Sequence, residues 1–64
     1  MITYFYEHNS GSRKVLLRRN YRGAESLFYY RQAVSINGAL YRVNSSVVDV
    51  SNNELWVELI RLSE

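Results

Sequence analysis

Ile36-Asn37-Gly38-Ala39 is the stretch of sequence that decides the fold. An Asn-Gly pair between two apolar runs is the strongest short-range signal for a β-hairpin with a two-residue loop, because both residues tolerate a positive φ. Such a loop pairs the two residues that flank it and fixes which side chains share a face. The predicted core face of this hairpin carries Val34, Ile36, Ala39, Tyr41 and Val43.

The chain after this hairpin changes the parity of its apolar residues. The series that ends at Val43 continues at Val48 and Val50 on the opposite parity, so residues 44–46 are predicted to hold a bulge or bend that absorbs one residue. Residues 51–54 then read as a second turn. With Asn52 and Asn53 at its centre, one face carries Val48, Val50, Leu55, Val57 and Leu59, while Asp49, Trp56 and Glu58 lie on the other and Leu62 returns inward.

The N-terminal third predicts another hairpin. Residues 2–7 alternate aromatic and β-branched side chains that suit a half-buried strand. Residues 8–12 predict a turn that includes His8, because Asn and Gly tolerate a positive φ. Residues 13–21 resume the alternation as a second strand. The first strand carries few charges and is predicted to be an open sheet edge. The second strand is predicted to place Val15, Leu17 and Tyr21 on one side.

These patterns together predict one all-β domain over residues 1–64. A five- or six-stranded antiparallel sheet, bent at the bulge into a rolled sheet or small barrel, accounts for them. Residues 23–33 fit helical and strand spacing equally well, so an irregular loop or one short helical turn around 24–31 is expected to lead into the next strand.

The length of the chain argues for self-association. A chain of about 60 residues buries only about 60% of the surface that its unfolded form exposes. The 64 residues include no Cys, so neither a disulfide nor a cysteine zinc site adds stability. We therefore expect a homo-oligomer. No basic leader segment or long apolar stretch is present, which predicts a cytoplasmic protein with no membrane partner.

The residues that carry catalysis are scarce. His8 is the one histidine, the three glycines form no phosphate-binding loop, and nothing marks a serine as activated. Asp49, Glu54 and Glu58 form a candidate acidic cluster, for which a solvated outer face is the favoured interpretation. The sequence therefore predicts a protein that is not an enzyme and that takes no metal and no cofactor.

Composition and charge favour binding instead. Six Tyr, one Trp and seven Arg exceed what a small core hides, and these residue types are enriched at protein interfaces. A protein partner is the first prediction, although Trp56 fits a core position as well as an outer one. The contact candidates are Trp56, Tyr41, Arg18, Arg19 and Arg22.

Single-stranded nucleic acid is the alternative partner. Residues 1–32 hold six of the eight cations, and aromatic residues are interleaved with them in the basic segment 13–31. Cations bind phosphates, and aromatic faces stack on bases. The candidate residues are Arg13, Lys14, Arg18, Arg19, Tyr21, Tyr29 and Arg31.

Residues 34–62 resemble short barrels of the SH3-like kind that bacteriophages and prophages encode. The resemblance rests on an INGxxYxV hairpin at residues 36–43, followed by VVDV at 47–50 and LWVEL at 55–59. It implies a small phage protein in a bacterial host cell that binds and inhibits a host or defence protein, or that binds nucleic acid. It supplies no functional residues.

Overall fold

The computed structural model describes residues 1–22 and 28–63, without the side chain of residue 63. These residues form five strands and no helix, which confirms the all-β prediction. The strands are β1 (Ile2–Asn9), β2 (Ser12–Asn20), β3 (Ala33–Ile36), β4 (Ala39–Asp49) and β5 (Glu54–Ser63). They form one sheet in the order β2-β1-β5-β4-β3, curled into a half-barrel. Within the described ranges no helix is long and apolar enough to cross a membrane.

The sheet is mixed, and the prediction of a wholly antiparallel sheet was wrong. Strand β1 pairs parallel with β5, while the other three pairs are antiparallel. The prediction that β1 is an open edge was wrong too, because the edges are β2 and β3. Consecutive residues Phe5 and Tyr6 are 3% and 6% exposed, so β1 is covered on both faces as a central strand must be.

Both predicted hairpins are present, and each closes with a two-residue turn. Asn37 and Gly38 have φ of 50° and 84°, and Ser10 and Gly11 have φ of 54° and 83°. Two consecutive positive φ values define the type I′ turn, whose twist matches that of paired strands. The register of the second hairpin is also as predicted: Ile36 pairs with Ala39, and Val34 pairs with Tyr41.

Bulges interrupt the ladders at three positions. Asn44 is the extra residue between the pairs Val43–Leu59 and Ser45–Glu58, which confirms the bulge predicted at 44–46. Leu62 is extra in the same way, but it is 43% exposed and does not return inward. Leu16 is extra in β2, so the regular alternation predicted there fails after Val15. The outer face of β2 consequently carries Arg13, Val15, Arg18 and Asn20, while Lys14, Leu17 and Arg19 lie on the core face.

The turn before β5 is longer than predicted. It spans residues 50–53, so Val48 rather than Val50 pairs with Leu55, and Val50 is 86% exposed. Asp49 stabilises this turn, because its carboxylate accepts hydrogen bonds from the backbone N–H and the side-chain Nδ2 of Asn52 at 3.3 and 3.0 Å. The predicted apolar face therefore holds at its β5 positions and at Val48, which is 43% exposed, and fails at Val50.

One face of the sheet forms the core, and the segment after β2 helps to cover it. The buried apolar residues are Phe5, Ile36, Tyr41, Val43, Leu55, Val57 and Leu59. Tyr21 and Phe28 pack edge-on against Phe5, with ring centroids 6.3 and 5.0 Å from it. Of the helical turn expected around 24–31, residues 24–27 lie outside the described residues, and 28–31 are not helical. Arg31 and Gln32 instead exchange backbone hydrogen bonds with Val43 at 2.7 and 2.8 Å.

Candidate binding face: an aromatic and arginine cluster beside an open sheet edge

The parallel pairing of β1 with β5 assembles aromatic residues on the outer face, which is the face opposite the core. It sets Tyr4 beside Trp56 and Tyr6 beside Glu58. The antiparallel pairing of β1 with β2 sets Arg18 beside Tyr4. We call the resulting group of five side chains the outer cluster: Tyr4, Tyr6, Arg13, Arg18 and Trp56.

Trp56 is the centre of the outer cluster. Its ring stacks on Tyr4 at 4.2 Å with an angle of 12° between the planes, and the Arg13 guanidinium lies 4.7 Å from its centroid. Tyr6 packs edge-on at 5.8 Å, and the indole Nε1–H donates a hydrogen bond to Glu54 Oε1 at 3.1 Å. Trp56 is therefore an outer-face residue, half-buried by its neighbours on that face rather than by the core.

The two arginines of the outer cluster are held in different ways. Arg13 lies over Tyr6 at 5.1 Å as well as over Trp56, and it makes no hydrogen bond to any described residue. Arg18 lies 5.8 Å from the Tyr4 ring, and its Nε–H points at the Tyr4 hydroxyl at 3.5 Å. Ring contacts hold a guanidinium in place while leaving its five N–H donors to other groups. The Arg13 fork is thus pre-positioned for an acceptor.

Glu58 borders the outer cluster and is well partnered. It accepts hydrogen bonds from Ser45 at 2.8 Å and from Asn44 at 3.2 Å, and it lies 2.8 Å from His8 Nε2. The Ser45 hydrogen bond lowers the pKa of Glu58 most, burial opposes it, and Asn44, His8 and Arg13 add smaller lowering effects. The carboxylate is therefore ionised at neutral pH and is already engaged.

Beside the outer cluster lies the open edge of β2. This strand pairs with β1, and no other described strand pairs with it. The Tyr21 N–H donates to the Met1 carbonyl at 3.0 Å, so residue 21 points its backbone groups toward the β1 side. Since these directions alternate along a strand, Asn20 and Arg18 point theirs outward. At the other end of β2, Ser12 pairs with Asn9 beside the turn, so its backbone groups point toward β1. The alternation from Ser12 makes 13 and 15 the outward positions before the bulge.

The structure brings together only part of the predicted protein-contact set. Trp56 and Arg18 lie in the outer cluster, whereas Arg19 lies on the core face of β2 and Arg22 follows its end. The prediction that Tyr41 contacts a partner conflicts with its position in the core, where it is 4% exposed. Its pairing with Val34 turns the ring inward, because that hairpin directs this parity to the core face.

The predicted nucleic-acid set is dispersed over the sheet. Lys14 and Arg19 lie on the face of β2 opposite Arg13 and Arg18, and Tyr21 packs into the core. Arg31 is bonded to the β3 side of β4, four strand spacings from β2, or about 19 Å along the sheet. Tyr29 is 65% exposed in the same segment as Arg31. These described residues lie on different faces and on distant strands, so the strand order does not bring them together in one groove.

The three residues of the candidate acidic cluster do not lie together in the sheet. Asp49 pairs with Glu54 at the end of β4, while Glu58 lies farther along β5 beside His8. His8 belongs to β1 and pairs with Arg13, so its assignment to the turn was wrong. In residues 1–22 and 28–63 no group of three or more metal-binding side chains converges and no pocket is found.

Sequence reasoning missed two residues of the outer cluster, Tyr4 and Tyr6. Their shared parity in β1 was visible, but their partner Trp56 lies some 50 residues away in a parallel pairing with no local signal. Comparisons with known protein families, with curated proteins and with solved structures return no match to this chain.

Proposed function

We propose that the chain is a non-catalytic protein-binding module that engages its partner with the open edge of β2 and the outer cluster beside it. The observation that carries the proposal is the edge itself. The nine-residue strand directs the backbone groups of four residues to its open side, namely Arg13, Val15, Arg18 and Asn20, and all four have exposed side chains. No described strand pairs with these groups, and only the Arg18 carbonyl accepts a hydrogen bond from a described residue, at 3.0 Å from the Arg19 guanidinium. Open edges of this length are templates for pairing with another chain.

The chemistry of the outer cluster favours a protein over a nucleic acid. Bases stack on exposed aromatic faces. Trp56 instead has Tyr4 and Arg13 against its ring, and Tyr6 is 6% exposed. A strand edge also offers alternating donors and acceptors, which match a peptide backbone and not a phosphate chain that only accepts.

Single-stranded nucleic acid is the second candidate, and the charge of β2 favours it. The strand carries four cations and no carboxylate: Arg13, Lys14, Arg18 and Arg19. Such a strip attracts any polyanion, with a strong dependence on salt.

Inhibition of the partner by stoichiometric binding is the mode of action that we propose. The resemblance of residues 34–62 to small phage barrels supports it. A homo-oligomer is part of the proposal, since large apolar side chains remain exposed on β4 and β5. Those on the outer face are Leu40, Val47 and Ile60, which are 43%, 58% and 40% exposed.

The test is a selection run beside a nucleic-acid titration. Random 12-residue peptides displayed on phage are selected on the immobilised protein, and selected peptides are measured by calorimetry. Labelled single- and double-stranded DNA and RNA are titrated at low and at physiological salt. The double variant Arg18→Glu/Arg19→Glu is measured in both arms.

We expect peptides that bind at micromolar affinity to wild type and weakly to the double variant. Nucleic-acid binding below about micromolar that falls steeply with salt, with no peptide selected, would overturn the proposal and establish the second candidate.

A further inference from the structure

An edge strand whose charged side chains all have the same sign pairs more favourably with a strand of opposite charge. All four ionisable side chains of β2 are cationic, so two copies of β2 would bring like charges face to face. The same charges attract a strand that carries carboxylates. The edge is therefore biased against a second copy of itself and toward an acidic occupant.

The outward backbone positions identify which cations such a strand would meet. Residues 13, 15 and 18 point their N–H and C=O groups away from β1, since Tyr21 and the turn fix the alternation from both ends. The Arg18 carbonyl accepts a hydrogen bond from the exposed Arg19 guanidinium at 3.0 Å, which an added strand would replace. Because the side-chain face alternates with the backbone direction, these residues also place their side chains on the outer face. The bulge at Leu16 keeps the two alternations in step on both sides of it.

An added strand would consequently set its outer-face side chains beside Arg13, Val15 and Arg18. Cross-strand neighbours of opposite charge stabilise a sheet, and like charges destabilise it. Val15 is 47% exposed and offers an apolar contact between the two arginines. The matching pattern is a carboxylate, an apolar residue and a carboxylate at alternate positions.

Arg13 supplies the strongest recognition element in this arrangement. Its guanidinium is fixed against Trp56 and Tyr6 at 4.7 and 5.1 Å, and it has no hydrogen-bond acceptor among the described residues. A fixed planar fork with unused donors binds a carboxylate through two parallel hydrogen bonds at low entropic cost. Lys14 next to it lies on the opposite face with its backbone directed to β1.

We infer that β2 accepts an acidic extended peptide segment of a protein partner as a sixth strand, with a carboxylate of that segment clasped by Arg13. The inference rests on the proposed function and specifies the chemistry of the partner.

The experiment uses a labelled extended peptide whose alternate residues are Glu, Val and Glu, separated by Thr, and fluorescence anisotropy at physiological salt. A peptide with Gln for Glu is the first control. Two further peptides carry N-methyl groups on alternate amides, one set on each side of the strand, so that only one set blocks pairing with β2. The protein variants are Arg13→Ala, Arg13→Lys and Lys14→Ala, each checked by circular dichroism.

We expect Arg13→Ala to weaken binding at least about tenfold, and Arg13→Lys several-fold, because a lysine keeps the charge but loses the fork. Lys14→Ala should stay within about twofold, since a charge on the other face is screened. One N-methylated peptide should lose binding while its counterpart keeps it.

Equal losses from Arg13→Ala and Lys14→Ala would overturn the inference in favour of unspecific attraction. So would equal binding of both N-methylated peptides, and this readout does not depend on the folding of any variant. If the acidic peptide fails to bind up to millimolar concentration while selected peptides of other composition bind, the inference fails and the proposed function stands.

Discussion

Thr3 is the buried residue whose chemistry fits its surroundings least. It is 0% exposed, and its hydroxyl has no hydrogen-bond partner among the described residues. An unpaired buried hydroxyl destabilises the folded state, because in the unfolded chain the same hydroxyl forms hydrogen bonds with water. We expect Thr3→Val, which replaces the hydroxyl with a methyl group of similar size, to raise the free energy of unfolding by about 1 kcal/mol in a urea titration.

Thr3→Ser is the matched control for that change, since it keeps the hydroxyl and removes the methyl group. It should be less stable than wild type by about 1 kcal/mol. If Thr3→Val proves the less stable of the two variants, the hydroxyl has a partner in solution and the argument is wrong.

Glu58 is expected to make stability depend on acid pH. Its pKa is lower in the folded protein than its usual value of 4.5. Its contribution is therefore present above that value and is lost as the pH falls through the folded pKa. Ser45→Ala removes the hydrogen bond that lowers this pKa most. The variant should lose more stability at pH 7 than at pH 3 in thermal melts, and equal losses at both pH values would contradict this.

At the scale of the element, the Asn37–Gly38 turn anchors the register of β3 and β4. Gly38 has φ of 84°, and a Cβ placed there would meet nothing within 4 Å. Gly38→Ala therefore introduces backbone strain without a clash. We expect a loss of about 1 kcal/mol in urea unfolding. Gly11→Ala, with φ of 83° and equal space, should give a similar loss, and a neutral result at both turns would contradict the type I′ assignment.

The hairpins were predictable because their signals are local. An Asn-Gly pair or a Ser-Gly turn constrains only the residues beside it, and the parity change at Asn44 marked its bulge directly. The bulge at Leu16 left no such mark, since Leu16 and Leu17 are both apolar and hide the break in alternation. The long turn before β5 depends on hydrogen bonds to Asp49 that compete with the predicted Asn–Asn centre.

The candidate site was predictable only in part, because it joins strands that are distant in sequence. Parity with Leu55 and Val57 allowed an outer position for Trp56, but the sequence fitted a core position equally well. Its contact with Tyr4 depends on a parallel pair between β1 and β5, and sequence pattern alone does not select the partner of a strand. For the same reason the sequence predicted β1 as the open edge, whereas β2 is the edge strand in the structure.

The whole molecule retains exposed apolar side chains that a second copy would cover. On the outer face these are the β4 and β5 residues Leu40, Val47 and Ile60, away from the cationic edge of β2. We expect light scattering to give a mass above the 7.5 kDa of one chain, and high salt to leave that mass unchanged because the contact is apolar. Val47→Lys should reduce the mass to one chain. A mass of 7.5 kDa at all concentrations would contradict the homo-oligomer.

The parallel pairing of β1 with β5 also leads us to expect a particular order in which contacts form during folding. The sheet consists of two locally wound pieces, β1–β2 and β3–β4–β5, and this one ladder joins them. Contacts between residues far apart in sequence form late and slow the folding rate. Trp56, the one tryptophan, meets Tyr4 and Arg13 only when the pieces meet. Its fluorescence in stopped-flow refolding should therefore change with the slowest phase, after far-ultraviolet circular dichroism has reported part of the strand signal.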